Sequence, residues 1–555
     1  MISFQPRLVS EIADYSIEKF RSDLLAGITV GIIAIPLAMA FAIASGVSPE
    51  QGLITAVIAG FVMAAFGGTR LCVGGPTGAF IVVLYAINAR YGFANLVICT
   101  MMAGAILIAL GAFKLGGLIR FIPNSVVIGF TNGIAVLIAL SQVKDLLGLP
   151  IANMPAEFFG IVRVIASTVR DLHWPTFAMA VASLAFLFIW PKRWARLVPG
   201  PFVLIVLATS FMQFAPLGIA TIGSRFGEIS AAFPSPTWPD FELSRLGTLI
   251  PPAIAIALLA AIESLLCAVV TDKQTRDHSD PNQELIGQGL ANLVTPLFGG
   301  LAATSAMART SANVRNGART PMAAVIHAGV VLIFLLIAAP LAKHVPFPAL
   351  AAILLWTAYG MMDWKAFGEM RRYTPLRNMT LVSTFVLTVL FSITIAVEVG
   401  MLLAAILLIK RLTEAVQVVP ITDLAKDADA PPLPLPPSVA ALRLRGALFF
   451  GVLDKLEASL HVPGTARVVV IDMLEVIYID TNAAELMQQF VRDELARGRE
   501  VIVFGLSPQA ESLFQRIGFA DEIGRDRIVR TRRQALELAT LRSPHYAQAD
   551  LFGAR

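Results

Sequence analysis

Residues 66–70 read Phe66-Gly67-Gly68-Thr69-Arg70 and run into a short apolar piece around Pro76, while Phe298-Gly299-Gly300-Leu301 runs into a second short piece around Ser305. A further landmark follows in each half, Ile122-Pro123-Asn124-Ser125 and then Val345-Pro346-Phe347-Pro348. The two pairs are offset by 232 and 223 residues, so each half carries the same landmarks in the same order. One Gly-Gly before a helix is a common loop; two landmarks in register argue for a repeat. Corresponding Gly/Pro-interrupted apolar segments in two halves point to a solute site at the middle of a membrane, where the halves meet.

Working outward, apolar stretches long enough to cross roughly 30 Å of hydrocarbon recur from Leu24 to Lys410. They cover residues 24–44, 96–113, 126–140, 177–190, 202–214, 249–270, 323–339, 350–361 and 379–409, the last long enough for two passes. Shorter Gly-rich pieces lie between them at 52–67, 76–89, 285–298 and 305–314. Broken segments at membrane depth are tolerated only where protein buries them or they line a polar cavity. Composition agrees: the 555 residues are 56% hydrophobic and 15% charged, with a mean hydropathy of +0.74. That is too apolar for a water-soluble enzyme of this length.

Charge divides the chain. Residues 421–555 hold 34 charged side chains, against 47 in the first 420. The excess base flanks apolar spans, so the net charge of +5 does not point to nucleic acid. Lys and Arg near both ends of the apolar body (Arg7, Lys19, Arg21, Lys410, Arg411) place both termini on the cytoplasmic side, hence an even number of crossings. The residues before Asp23 are mixed polar and do not read as a cleaved signal peptide. Cys72, Cys99 and Cys267 sit in apolar surroundings and show neither a disulfide framework nor a metal spacing. The expected organisation is a membrane body over 1–420, a Pro-rich extended linker over 421–438, a small α/β domain over 439–540 and a tail over 541–555.

Glu263 is the sharpest candidate for chemistry, because it lies in an apolar span with no cationic neighbour in its own segment. Such a residue faces a polar cavity or an ion pathway by default, and Glu263 is the expected proton-coupling group; a neutral structural Glu is the alternative. The short segments supply the second constellation. A helix that starts inside the protein offers free N–H groups and a positive dipole end, which suit an anion. Two such starts meeting near Thr77–Phe80 and near Thr304–Ala308 would cradle one, with Gly75, Gly78, Ala302, Ala303, Ser305 and Ala306 small enough to let it approach backbone. Arg309 follows directly as a cationic fork, its alternative being a residue that ties down a loop. Phe41 and Phe80 are candidates to pack over the ligand, Arg315 and Arg319 belong at a water-facing helix end, and His327 reads as a satisfied core histidine. No triad, zinc spacing, phosphate loop or nucleotide fingerprint is present, so the chain is not expected to be an enzyme or to need a cofactor.

These residues bring a resemblance into view. The run from Asp23 through Gly27, Gly31 and Pro36 to Phe41 resembles the first-span signature of the sulfate permease (SulP) family, relatives of the solute carrier family 26 anion transporters. Gly75-Pro76-Thr77 resembles the start of that family's third span, and the stretch from Asn282 to Asn292 with its following Phe-Gly-Gly resembles its eighth-to-tenth-span region. Asp472-Met473-Leu474-Glu475-Val476 through Ile479-Asp480 is similar to the core strand and helix start of a STAS domain. The resemblance implies an α-helical polytopic membrane protein of fourteen segments in two inverted repeats of seven (UraA-like), a cytoplasmic STAS domain, a homodimer and an elevator motion. Carried over by position, the substrate site is Phe41, Thr77, Ser305, Ala308 and Arg309, joined by Phe80 and Thr304 from the cradle, with Glu263 as the eighth-span carboxylate. Residues 262–270 and 306–315 are most similar to the bacterial C4-dicarboxylate (DauA-type) branch, which implies proton-coupled uptake of succinate or fumarate in a bacterial inner membrane. Leu37 stands where some relatives carry Gln and removes one donor from the pocket. Thr481 stands where phosphorylated STAS proteins carry Ser and is expected to cap the helix that follows. Sulfate or bicarbonate transport, coupled to protons or sodium or to neither, is the alternative on the same fold. An anion channel, or an anion sensor that signals through the STAS domain to a cytoplasmic partner, is the alternative of another class.

Overall fold

The computed structural model describes residues 4–117, 123–151, 154–155, 157–191, 198–214, 217–239, 246–391, 399, 402, 405–406, 409–421, 435–436 and 438–542. It divides into two units, Met1–Ala404 and Ala405–Arg555.

The first unit is helical. Its first half runs through α1 (Ile17–Ala44), α2 (Pro49–Phe66), a two-residue strand β1 (Gly74–Gly75), α3 (Ile81–Tyr91), α4 (Phe93–Ala112) and α5 (Asn124–Leu147). After helices at Phe158–Thr168, Trp174–Ile189 and Gly200–Phe214, the second half runs through α6 (Leu246–Thr275), α7 (Pro281–Val294), strand β2 (Thr304–Ser305), α8 (Met307–Arg315), α9 (Met322–Ile337), α10 (Phe347–Met361) and α11 (Pro375–Leu390). Local chemistry sets the starts. Ser16 accepts the Lys19 amide at the head of α1, and Asp280 accepts the amides of Asn282 and Gln283 at the head of α7, behind Pro281 in its first turn. By length and composition α1, α2, α4, α5 and α6 can each cross a membrane; the helices Phe158–Asp171 and Trp174–Ile189 form a pair bent by 115°.

Both sequence landmarks mark equivalent places. A helix or helical turn ends at Phe66 and again at Phe298, each followed by Gly-Gly and then by one of the two short strands. Pro123 and Pro346 each stand just before a helix, α5 and α10. Ile122, and much of the second pass expected within 379–409, lie outside the described residues.

Small residues let the helices approach closely. A Cβ on Gly104 of α4 would come within 2.7 Å of the Gly289 carbonyl oxygen on α7, and one on Gly289 within 2.6 Å of that of Gly104. Close backbone contact of this kind replaces the hydrophobic drive that lipid cannot supply. Asp23, fully buried two turns into α1, accepts the backbone amides of Arg319 (2.7 Å) and Thr320 (3.1 Å) and the Thr320 hydroxyl (2.6 Å), which fixes the loop ahead of α9. Arg315 and Arg319 themselves are exposed, as expected.

The second unit is a five-stranded sheet with helices on both faces. Its strands β3 (Gln417–Ile421), β4 (Val439–Leu448), β5 (Val468–Ile479), β6 (Glu500–Phe504) and β7 (Ile528–Val529) lie in sequence order, with β3 antiparallel to β4 and the rest parallel. Side chains alternate across the pleat. Val469 and Ile471 face helices Thr481–Ala496 and Pro508–Arg516, whereas Val468 and Val470 face Ala535 and Ala539 of Arg532–Leu541. Burial on both faces explains why β5 reads as a continuous apolar run. The sheet takes its edge strand from Gln417–Ile421, ahead of the Pro-rich segment; most of that linker (422–434 and 437) and the tail from 543 lie outside the described residues. One local expectation changes. Asp480, not Thr481, caps the helix Thr481–Ala496, accepting the Ala483 amide at 2.8 Å while its other oxygen accepts the Phe450 amide at 2.8 Å; Thr481 is the exposed first residue of the helix. A carboxylate at the preceding position can serve two amides at once, which a hydroxyl one residue later cannot reach.

Candidate functional site

The two short strands pair with each other. Gly74 stands opposite Ser305 and Gly75 opposite Thr304 in an antiparallel ribbon, extended by the Ala306 amide donating to the Val73 carbonyl at 2.9 Å. Each chain leaves the ribbon into a helix: β1 through a 3-10 turn at Gly78–Phe80 into α3, and β2 directly into α8. Because the strands run in opposite directions, the two helices leave from opposite ends of the ribbon, each with its N-terminus against it. Thr77 and Ala306, the residues just before each start, provide no side-chain cap, and neither first turn carries an acid. The amides of Gly78 and Ala79 and of Met307–Arg309 therefore keep their donor capacity, while that of Phe80 donates to the Thr77 carbonyl at 3.3 Å; each end carries roughly half a positive elementary charge.

Glu263 comes to this spot from α6. The Thr77 hydroxyl donates to its Oε2 at 3.2 Å, across 186 residues of sequence. Arg309, only 2% exposed, donates from Nη1 to the Gly74 carbonyl at 3.3 Å and from Nη2 to the Pro76 carbonyl at 2.5 Å. Its guanidinium thus lies against the backbone of the other half's strand. Gly75 has φ of +140°, and a Cβ there would strike the guanidinium, so only glycine permits this seat. Among the described residues Arg309 forms no salt bridge. Phe41 and Phe80 are both buried. A Cβ on Gly78 would sit 3.6 Å from the Phe41 ring, 3.5 Å from Ile138 of α5 and 3.2 Å from the Met361 sulfur of α10, which places an apolar wall beside the first helix start.

The other expected residues divide. Ser305 donates to Glu284 Oε1 at 3.0 Å, and its oxygen lies 3.1 Å from that of Ser264. Thr304 contributes backbone to the ribbon, while its hydroxyl is committed to the Ala260 carbonyl at 3.0 Å and to Gln288 at 2.7 Å. Ala308 lies exposed in the first turn of α8. His327 is fully buried as expected but not satisfied: neither ring nitrogen has a partner of hydrogen-bond geometry among the described residues.

A set of residues that sequence reasoning passed over holds this ribbon in place. Glu284, Gln288 and Asn292 stand one turn apart on α7 and meet successive residues of the approach to α8. Asn292 exchanges two 2.9 Å hydrogen bonds with the Ala303 backbone, Gln288 binds the Thr304 hydroxyl and Glu284 binds Ser305. Glu284 also accepts the Ser264 hydroxyl at 2.8 Å and the Gly68 amide at 3.1 Å. Their i, i+4, i+8 spacing was the available signal, since it aligns three polar side chains on one face of an apolar helix.

With this geometry established, comparison with known proteins decides the lineage. Residues 20–384 match the Sulfate permease family, and residues 430–535 match the STAS domain. The chain belongs to the sulfate permease family. It is 40% identical over 527 residues (94% of this chain, 98% of the relative) to YvdB of Bacillus subtilis, by name a sulfate transporter. It is 30% identical over 554 residues (95% and 96%) to the bicarbonate transporter BicA of a Picosynechococcus species. Its fold resembles the solved overall structure of SLC26A9, with a TM-score of 0.85 over 98% of this chain and 94% of that one at 17% identity. This sulfate permease family member is accordingly a multi-pass membrane anion transporter with a STAS domain, not an enzyme.

Proposed function

We propose that this sulfate permease family member moves a compact inorganic oxyanion, bicarbonate or sulfate, across a bacterial inner membrane by secondary active transport. One observation carries the reading: two uncapped helix N-termini flank one short ribbon backed by a buried guanidinium that has no acidic partner among the described residues. Burying a charge without a counter-charge is costly, and a bound anion would supply one. The anion lies against the amides of Gly78 and Ala79 and of Met307–Arg309, with Arg309 adding its field from behind β1 and Phe41 and Phe80 closing the apolar side. Glu263, bonded to Thr77 at the same spot, carries the coupling proton, so that anion and proton cross together with less net charge.

The same observation turns against the C4-dicarboxylate reading. Arg309 is the one buried cation among the described residues of the first unit, so the far carboxylate of succinate or fumarate finds no cationic partner. The relatives described above are named for sulfate and bicarbonate. The ribbon and the helices that hold it move as the carrier in an elevator cycle, the chain works as a homodimer with both termini cytoplasmic, and the STAS domain serves regulation or assembly. Uptake of labelled bicarbonate, sulfate and succinate into proteoliposomes, driven by a proton gradient, a sodium gradient or neither, tests the reading. Saturable uptake of an inorganic oxyanion that follows the proton gradient supports it. Preference for succinate corrects the substrate, sodium dependence corrects the coupling ion, and unsaturable current in place of uptake overturns transport in favour of a channel.

A further inference from the structure

Cys72 and Cys267 stand 195 residues apart in sequence, yet their sulfurs lie 3.7 Å from each other. Cys72 is two residues ahead of β1, and Cys267 is on α6 one turn beyond Glu263. Both are free thiols in one small cluster with Ala268. The third cysteine, Cys99 on α4, faces the Leu249 carbonyl at 3.9 Å. A sulfur pair in van der Waals contact needs a closure of about 1.7 Å to reach a disulfide bond length.

We propose that Cys72 and Cys267 are a reversible redox couple, which a hydroperoxide converts into a disulfide that draws the β1 segment toward α6 and slows transport. Cys72 keeps 8% of its surface exposed and Cys267 none, so Cys72 meets the oxidant first. Its sulfur attacks one peroxide oxygen, the O–O bond breaks, and Cys72 becomes a sulfenic acid as one water leaves. The Cys267 sulfur then attacks that sulfur, the S–O bond breaks, and the departing hydroxide takes the Cys267 proton as a second water. Two thiols and one hydrogen peroxide give one disulfide and two waters, the two electrons passing from the sulfurs to the peroxide oxygens. A thiol reductant reverses the change.

The consequence follows from what flanks Cys72. The Val73 amide donates to the Thr310 hydroxyl oxygen at 3.0 Å, and the Val73 carbonyl accepts the Ala306 amide. The next residues, Gly74 to Thr77, hold Arg309 and meet Glu263. Displacing this segment by an ångström or more against α6 shifts the donors that the anion site requires. The functional half of the inference rests on the transport reading above; the disulfide itself rests on the two sulfurs alone.

The test uses the full-length protein in proteoliposomes, reduced and then treated with hydrogen peroxide. Non-reducing digestion and mass spectrometry report the cross-link, and labelled bicarbonate and sulfate report uptake. The expected result is a reducible link between the Cys72 and Cys267 peptides, with uptake falling about tenfold or more. It occurs in the unmodified protein and in C99S and is absent from C72S and C267S, whose uptake peroxide leaves unchanged. In C267S, dimedone captures the sulfenic acid on Cys72. Failure of the link to form, a link that leaves uptake unchanged, or peroxide inhibition persisting in C72S and C267S overturns the proposal. Absence of uptake by the reduced protein overturns the transport reading and with it the slowing, while the cross-link still reports on the sulfurs.

Discussion

Thr77 donates its hydroxyl to Glu263 at 3.2 Å, joining the start of the helix that follows β1 to the carboxyl group of α6. The bond places a titratable group beside the positive end of a helix, the arrangement that lets one site take an anion and a cation together. E263Q keeps the size and hydrogen-bonding capacity of the side chain but cannot exchange a proton. Oxyanion binding, read by titration calorimetry, is expected to survive in E263Q, whereas uptake driven by a pH gradient is lost. Unchanged pH-driven uptake contradicts the coupling role.

Gly75 offers a sharper structural prediction. With φ at +140° and the Arg309 guanidinium filling the space a side chain needs, G75A is expected to cost about 1–3 kcal/mol of stability and to displace Arg309. Gly92 also has positive φ but no neighbour within 4 Å, so G92A is expected to carry a backbone strain of about 1–3 kcal/mol of its own yet to leave uptake near normal. Uptake assays run beside thermal unfolding in detergent separate the two; equal losses of uptake would show that the seat of Arg309 is not what Gly75 protects.

Arg309 spans two carbonyls of the opposite strand with a planar fork. An ammonium group is a compact point charge and cannot reproduce that geometry, so R309K is expected to retain much of the charge and lose the alignment. Bicarbonate or sulfate should raise the unfolding temperature of the wild type, raise that of R309K less, and leave that of R309A unmoved.

The α7 ladder predicts a positioning effect. N292A leaves both polar groups of Ala303 unpaired in a buried setting, at a cost of about 1–3 kcal/mol. N292A and Q288A together are expected to be non-additive, because both act on the same three-residue approach to α8. A strictly additive loss in unfolding temperature and uptake would mean that the rungs act separately.

In the STAS domain, D480A removes the acceptor for two amides and is expected to cost about 0.5–2 kcal/mol, whereas T481A changes little. Hydrogen exchange on the full-length protein, followed at Ala483 and Phe450, reads this directly.

How much of this was legible in sequence depends on range. Phe-Gly-Gly and the proline landmarks announce the repeat because they are local signals of chain breaks, and they recur at equivalent places in the fold. The apolar run that opens β5 and the helical patterns beside it outline the second domain for the same reason. Glu263 stood out through its isolation in an apolar span. What sequence left open was direction. Thr304 turns its hydroxyl to Gln288, and Arg309 lies against Gly74 and Pro76, because α7 and the glycine at position 75 shape the space around them. Such contacts join residues 16 to 235 positions apart, and no periodicity encodes them. Asp480 was visible as a capping type, but the second amide that makes it the better cap comes from Phe450, on the far side of a strand.

The most direct measurement is a structure of the protein with selenate, whose selenium scatters anomalously and stands in for sulfate. One strong peak is expected at the head of both short helices, with oxygens about 3 Å from amides of Gly78 and Ala79 and of Met307–Arg309. A selenium peak elsewhere in the first unit, with that position left to water in protein shown to bind selenate, would contradict it.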